Sequence, residues 1–195
     1  MEKTQINTRQ LGTTGLEITR VGLGAWAIGG GGWEFGWGPQ EDGDSIAAIH
    51  RALELGLSWI DTAAAYGFGR SEQVVGRALA GLEERPYVFT KASLVEGPGR
   101  SVVHRLKRDS ILREAHASLE RLGLDAIDLY QIHWPIPDED IGGGLVSLRR
   151  AQGARARAPH RRLELRRRAA AADPAGRAGG DPAAAVLADR ARHRA

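Results

Sequence analysis

The chain has 195 residues, a formal net charge of +3 and no cysteine, which excludes disulfides and thiolate metal sites. No apolar run reaches the ~18 residues of a membrane-spanning helix, and residues 1–5 carry no apolar signal core, so the expectation is a cytoplasmic protein with no membrane partner. The length suits one domain with a sizeable core but is short of the ~250 residues typical of a complete (β/α)8 barrel.

Residues 8–19 read as a β-hairpin, with Gly12-Thr13-Thr14-Gly15 as its turn. Residues 21–24 form a short strand, followed by a Gly- and Trp-rich loop over 29–39. Asp44-Ser45 are expected to cap a helix whose apolar positions are Ile46, Ala47, Ile49, Leu53 and Leu55. Gly56 ends it and a strand over 57–60 follows. Ser71 is expected to cap a second helix, with Val74, Val75, Ala78 and Leu79 inward. A strand over 87–90 comes next. A long helix over 107–122 then carries Ile111, Leu112, Ala115, Leu119 and Leu122, Gly123 stops it, and a strand over 127–132 closes the series. Strand and helix alternate with short links, which predicts a parallel α/β sheet or barrel with about four βα units by Ile141.

After Ile141 the pattern stops. Residues 142–195 hold 13 Arg, no Lys, four acids and no aromatic residue, a balance of +9 against −6 for residues 1–141. The overall basic character therefore belongs to the tail and does not imply a nucleic-acid protein. The genetic code offers an explanation. Codons for His160–Arg168 exist that, read one base later, give Ile-Gly-Val-Ser-Asn-Phe-Asp-Val. Ala184–Arg190 likewise yields Pro-Pro-Tyr-Ser-Leu-Ile, and Gly142–Leu145 yields Glu-Glu-Gly-Trp. Three sensible segments in one shift direction point to a frame change near Ile141. The expected division is residues 1–141 as half of a barrel and 142–195 as an out-of-frame, poorly ordered tail.

Four side chains stand out. Asp61, Tyr66, Lys91 and His133 lie at or just past the ends of apolar runs, and in a barrel of parallel strands those ends meet at one catalytic face. An acid, a phenol, an amine and an imidazole on one rim make a proton-transfer site. Taken singly, each has a plainer reading: Tyr66 as a loop aromatic, Lys91 as a solvated strand end, Asp61 as a turn or helix cap, His133 as a packed turn residue. Gly29–Gly32 is not a phosphate loop, since no Lys-Ser or Lys-Thr ends it. His50, His104 and His116 read as surface or packing residues, and no metal constellation is visible.

Residues 7–141 resemble the aldo/keto reductase family. The resemblance rests on Arg9-Gln10-Leu11-Gly12-Thr13-Thr14-Gly15-Leu16, Gly22-Leu23-Gly24-Ala25-Trp26, Trp59-Ile60-Asp61-Thr62-Ala63-Ala64-Ala65-Tyr66-Gly67, Thr90-Lys91 and Asp128-Leu129-Tyr130-Gln131-Ile132-His133-Trp134-Pro135. It implies the first half of a (β/α)8 TIM barrel that opens with a β-hairpin. The implied reaction is reduction of a small-molecule aldehyde or ketone by NADPH, with NADH as the alternative cofactor. Tyr66 would be the general acid, Lys91 would lower its pKa, Asp61 would hold Lys91, and His133 would donate a hydrogen bond to the developing alkoxide. Gly24, Ala25, Trp26 and Asp61 would bring the chain against the cofactor. Trp33, Phe35 and Trp37, with His133 and Trp134, would wall the substrate pocket. The family's carboxamide-binding Ser-Asn pair, stacking Tyr and phosphate-binding basic residues would all fall beyond Ile141, so impaired folding and weak cofactor binding are expected. The competing reading is a non-catalytic half-barrel binding or regulatory module with an Arg-rich arm. Such an arm would bind phosphate backbones only nonspecifically, lacking aromatics for base stacking.

Overall fold

The computed structural model describes residues 6–137 and Asp140. The tail from 142 onward, with the shifted-frame segments assigned to it, lies outside the described residues, as do Asp138, Glu139 and Ile141. The strands are β1 (Thr8–Gln10), β2 (Glu17–Thr19), β3 (Leu23–Gly24), β4 (Trp59–Asp61), β5 (Tyr87–Ala92), β6 (Leu94–Glu96), β7 (Val102–His104) and β8 (Leu129–Ile132). The α-helices are α1 (Asp42–Glu54), α2 (Arg70–Leu79) and α3 (Arg108–Leu122).

The central sheet is parallel, in the order β3-β4-β5-β8, and the consecutive strands are joined through α1, α2 and α3. This is the βα architecture that the alternating pattern predicts. Residues two apart share a face of the sheet, so Trp59, Asp61, Phe89, Lys91, Leu129 and Gln131 lie on one side. The other side carries Ile60, Val88, Thr90, Ala92 and Tyr130, all buried. There Ile60 and Val88 pack with Ile49 of α1 and with Val74, Val75, Ala78 and Leu79 of α2. Ala92 and Tyr130 pack with Ile111, Ala115 and Leu119 of α3.

The hairpin β1–β2 anchors the end of the sheet away from the site. The Thr19 N–H donates to Ser58 Oγ at 2.8 Å, and the Trp59 indole N–H donates to the Thr19 carbonyl at 2.9 Å. A second hairpin, β6–β7, follows β5 directly. Its strands are only three residues long and are separated by Gly97-Pro98-Gly99-Arg100-Ser101, too short a pattern for periodicity to reveal.

The helix starts differ from the sequence expectation. Helix α1 begins at Asp42, two residues before the expected cap, and the Ser45 hydroxyl bonds back to the Glu41 carbonyl inside the helix. Its buried positions are Ser45, Ile49 and Ala52, whereas Ala47 is exposed and Leu55 lies just past the helix, also exposed. Helix α2 starts after Gly69, whose φ of +98° is a left-handed conformation suited to glycine. Ser71 therefore sits inside the helix. Its fully buried hydroxyl donates to the Ala25 carbonyl at 2.8 Å and meets Thr62 Oγ at 2.9 Å. Among the described residues no helix is long and apolar enough to cross a membrane.

Candidate active site

Asp61 ends β4 and Lys91 is the next-to-last residue of β5. Their strands are paired and both side chains leave the same face, so the ladder itself brings them together. Lys91 Nζ donates to Asp61 Oδ2 at 2.6 Å, to the Thr62 carbonyl at 2.8 Å and to the Tyr66 hydroxyl at 3.3 Å. All three ammonium hydrogens thus have acceptors, and the direction of the amine is fixed. The other Asp61 oxygen accepts from Gln131 Nε2 at 3.3 Å. Gln131 pairs with Lys91 across β5–β8, so three adjacent strands converge on one carboxylate.

Tyr66 lies in the turns between β4 and α2, where its N–H bonds the Ala63 carbonyl and its carbonyl accepts from Ser71 N–H. This loop is pressed against the segment after β3, and two glycines allow it. A Cβ on Gly29 would come within 2.7 Å of the Tyr66 carbonyl carbon. One on Gly67 would strike the Gly29 carbonyl, and Gly67 also has φ +64°. His133 follows β8 and sets its ring edge-on to Tyr66, with centroids 5.5 Å apart at 80°. The four predicted residues are therefore brought to one point.

The electrostatics depart from expectation in one respect. Burial lifts the Tyr66 pKa above the ordinary phenol value. The Lys91 charge and hydrogen bond pull it down as foreseen, but the Asp61 charge pushes it back up, so burial prevails. Tyr66 is thus held as a neutral phenol with a proton to give. His133 is shifted down to about 3, first by burial, then by the charges of Lys91 and His104. It is a neutral imidazole, and its Nδ1 is buried without a partner.

Of the residues proposed to meet a cofactor, Gly24 is open: a Cβ there would touch nothing. Ala25 is fully buried, its N–H bonded to the Asp61 carbonyl and its carbonyl to Ser71, so its backbone is already occupied. Trp26 stacks on Tyr66 (6.3 Å, 21°) and touches Trp37 (5.4 Å), so it also belongs to an aromatic wall beside the site. Trp33 tilts against Tyr66 at 6.4 Å and meets Phe35 and Phe68 edge-on. Trp37 is largely exposed. Trp134 contacts Phe35, His133 and His104. His104, read from sequence as a surface or packing residue, stacks on Trp134 at 5.4 Å and so belongs to the site's surroundings. His50 is exposed on α1, with its ring nitrogen bonded to the Ala78 carbonyl of α2. Sequence reasoning did not single out Thr62, Gln131 or Ser93. Gln131 alone had a signal, lying in the apolar run that ends just before His133.

Comparison with known proteins supplies the family and the fold. The sequence model of the aldo/keto reductase family matches residues 20–163, a span that runs past Ile141. The chain is 43% identical over 129 residues to the aldo-keto reductase YhdN of Bacillus subtilis (strain 168), covering 65% of this chain and 38% of that protein. It is 44% identical over 139 residues to the NADH-specific methylglyoxal reductase of Escherichia coli (strain K12), covering 64% and 40%. The chain thus spans about two fifths of the length of these curated relatives. Among solved structures it resembles the glycerol dehydrogenase of Gluconobacter oxydans, with a TM-score of 0.66 and 36% identity over 75% of this chain and 45% of the other. It also resembles the holo form of an aldo-keto reductase from Bacillus halodurans, with a TM-score of 0.67 and 28% identity over 77% and 47%. The parallel half-sheet with its covering helices is thereby part of a TIM-barrel fold.

Proposed function

Because the chain belongs to the aldo/keto reductase family, we propose that its site is built for NAD(P)H-dependent reduction of an aldehyde or ketone to an alcohol, with Tyr66 as general acid, in the cytoplasm. The observation that carries this reading is the Lys91 ammonium seated between the Asp61 carboxylate (2.6 Å) and the Tyr66 hydroxyl (3.3 Å), with the His133 ring against the phenol. The residues present fit the nicotinamide end of the cofactor. Gly24 presents bare backbone beside Asp61 at the ends of β3 and β4, and the unpartnered His133 nitrogen leaves a hydrogen-bonding group free for a ligand. Gly24 and Asp61 would line that end, and the bound nicotinamide supplies the hydride.

The chain's own residues handle the proton. Tyr66, kept neutral by burial, donates its hydroxyl proton to the carbonyl oxygen as negative charge develops there. Lys91 stabilises the phenolate left behind, and Asp61 keeps the amine aimed. His133, neutral throughout the physiological range, donates a hydrogen bond to the same oxygen and orients the substrate. Trp26, Trp33 and Trp134 exclude water from one side. NADPH is the proposed cofactor, with NADH the alternative that the name of the E. coli relative raises.

We further assign residues 142–195 to a shifted reading frame beginning near Ile141, with the rest of the cofactor site encoded in the other frame. The test compares the 195-residue chain with a frame-restored form, using NADPH or NADH and a small carbonyl such as methylglyoxal. The restored form is expected to bind cofactor at micromolar concentration and turn over, and the 195-residue chain to do neither well. Micromolar binding and turnover by the 195-residue chain would overturn the assignment. No turnover by either form would overturn the functional reading.

A further inference from the structure

Ser93 stands two residues beyond Lys91, is fully buried, and has φ +89°, a left-handed conformation that a serine adopts only at a cost. A strained, buried, non-glycine residue beside a candidate site calls for a reason. Each of its polar groups has one. Its N–H donates to Glu114 Oε2 on α3 at 3.0 Å. Its carbonyl accepts from Arg105 N–H, just past β7, at 2.8 Å. Its hydroxyl donates to the Trp134 carbonyl at 3.0 Å and accepts from Trp134 N–H at 3.3 Å.

The conformation explains the pattern. The β5–β8 ladder ends with Ala92 opposite Ile132, and its last main-chain bond runs from His133 N–H to the Ala92 carbonyl at 2.9 Å. Beyond it the left-handed turn at Ser93 sends the backbone groups away, one to α3 and one to the hairpin. The side chain takes over the ladder's work by bonding both polar groups of Trp134. His133 is therefore gripped on both sides, by Ala92 before it and by the Ser93 hydroxyl after it. Glu114, itself buried, fixes the far side of Ser93, and its other oxygen accepts from the Ser110 hydroxyl at 3.0 Å.

We propose that Ser93, anchored by Glu114, is a positioning residue that holds the His133 imidazole against the Tyr66 ring. The inference rests on the proposed role of His133 in carbonyl reduction for its functional meaning, but the placement is testable without turnover. Ser93→Gly is the informative variant, because glycine keeps the left-handed backbone without strain while losing the side chain that carries the hydroxyl.

The experiment uses the full 195-residue chain, with Ser93→Gly, Glu114→Ala and Glu114→Gln, each checked by thermal unfolding and by the nuclear Overhauser contact between the His133 and Tyr66 rings. Ser93→Gly is expected to melt within a few degrees of the unsubstituted chain yet lose at least two thirds of that contact. Glu114→Ala should weaken the contact too, and Glu114→Gln, which can still accept from Ser93 N–H, should restore it. In whichever form turns over, kcat should fall about tenfold in Ser93→Gly with KM within twofold. An intact ring contact in a folded Ser93→Gly chain would overturn the proposal. If Ser93→Gly does not fold, the contrast between Glu114→Ala and Glu114→Gln decides, and equal contacts in the two would overturn it. Absence of turnover in every form counts against the carbonyl-reductase reading and leaves the ring contact to judge the clamp.

Discussion

The proton-transfer corner and the aromatic wall meet at Tyr66, yet they are built on different principles. The corner stands on strand ends. Asp61, Lys91 and Gln131 leave three hydrogen-bonded neighbours on one face, and Lys91 is largely buried, only 12% exposed. The wall stands on loops. Trp26 and Trp33 are tied by their indole N–H groups to the carbonyls of Phe35 and Gly30, and Trp37 is 73% exposed. A ladder fixes position through main-chain bonds that any sequence of that register makes, whereas a loop wall depends on particular side chains. The proposed proton-transfer groups should therefore be rigid and the proposed substrate surface adaptable.

The sharpest way to break the corner is to remove its cation. In an active form, Lys91→Met should lower kcat/KM by about two orders of magnitude or more, because Asp61 then raises the Tyr66 pKa with nothing opposing it. Steady-state reduction kinetics would read this, and a loss below tenfold would detach Lys91 from the proton step.

The support beneath the corner is tested next. Glu72 is fully buried, accepting from the Thr90 hydroxyl at 2.6 Å and from Arg121 Nε at 2.7 Å. Glu72→Ala strands the mostly buried Arg121, and urea denaturation should show a loss of about 3 kcal/mol. Removing the exposed Arg51–Glu54 pair should change stability by less than ~1 kcal/mol. Similar losses from both would mean that burial does not separate the two.

A third test is pH. The folded-state pKa of His133 is about 3, below the 6.5 of a free imidazole. Above pH 6.5 the ring is neutral in both states and its contribution is fully present. As pH falls from 6.5 toward 3 the unfolded chain takes up a proton that the folded chain refuses, so stability declines across that window. His133→Gln should flatten this part of the stability–pH curve, and an unchanged slope would place the ring in solvent. The smallest effect belongs to the wall. Trp37→Ala should alter stability by no more than about 0.5 kcal/mol, while shifting KM severalfold for bulky carbonyl substrates only.

The same contrast explains what the sequence made legible. Strand-end residues were readable because apolar runs place them, and Asp61, Lys91 and His133 fall where those runs end. Tyr66 was readable only through the motif around it, since the turn that carries it has no period. The inward faces of α2 and α3 followed from spacing, and α3 starts within one residue of its expected position, but the starts of α1 and α2 did not follow. Ser71 has the look of a cap and instead bonds Ala25, 46 positions away in sequence, a contact no local rule contains. Ser93 was invisible for the same reason, its partners lying on α3, past β7 and past β8. The direction of the Tyr66 shift was missed because a charge partner can be read from sequence and depth of burial cannot.

The proposed reduction stands or falls on the Tyr66 hydroxyl. The direct measurement is kcat/KM for NADPH-dependent reduction of a small aldehyde by the active form, with and without Tyr66→Phe, in protein shown by circular dichroism to be equally folded. A fall of about two to four orders of magnitude is predicted, the range a positioned general acid supplies. A Tyr66→Phe enzyme retaining more than a fifth of the activity would contradict it.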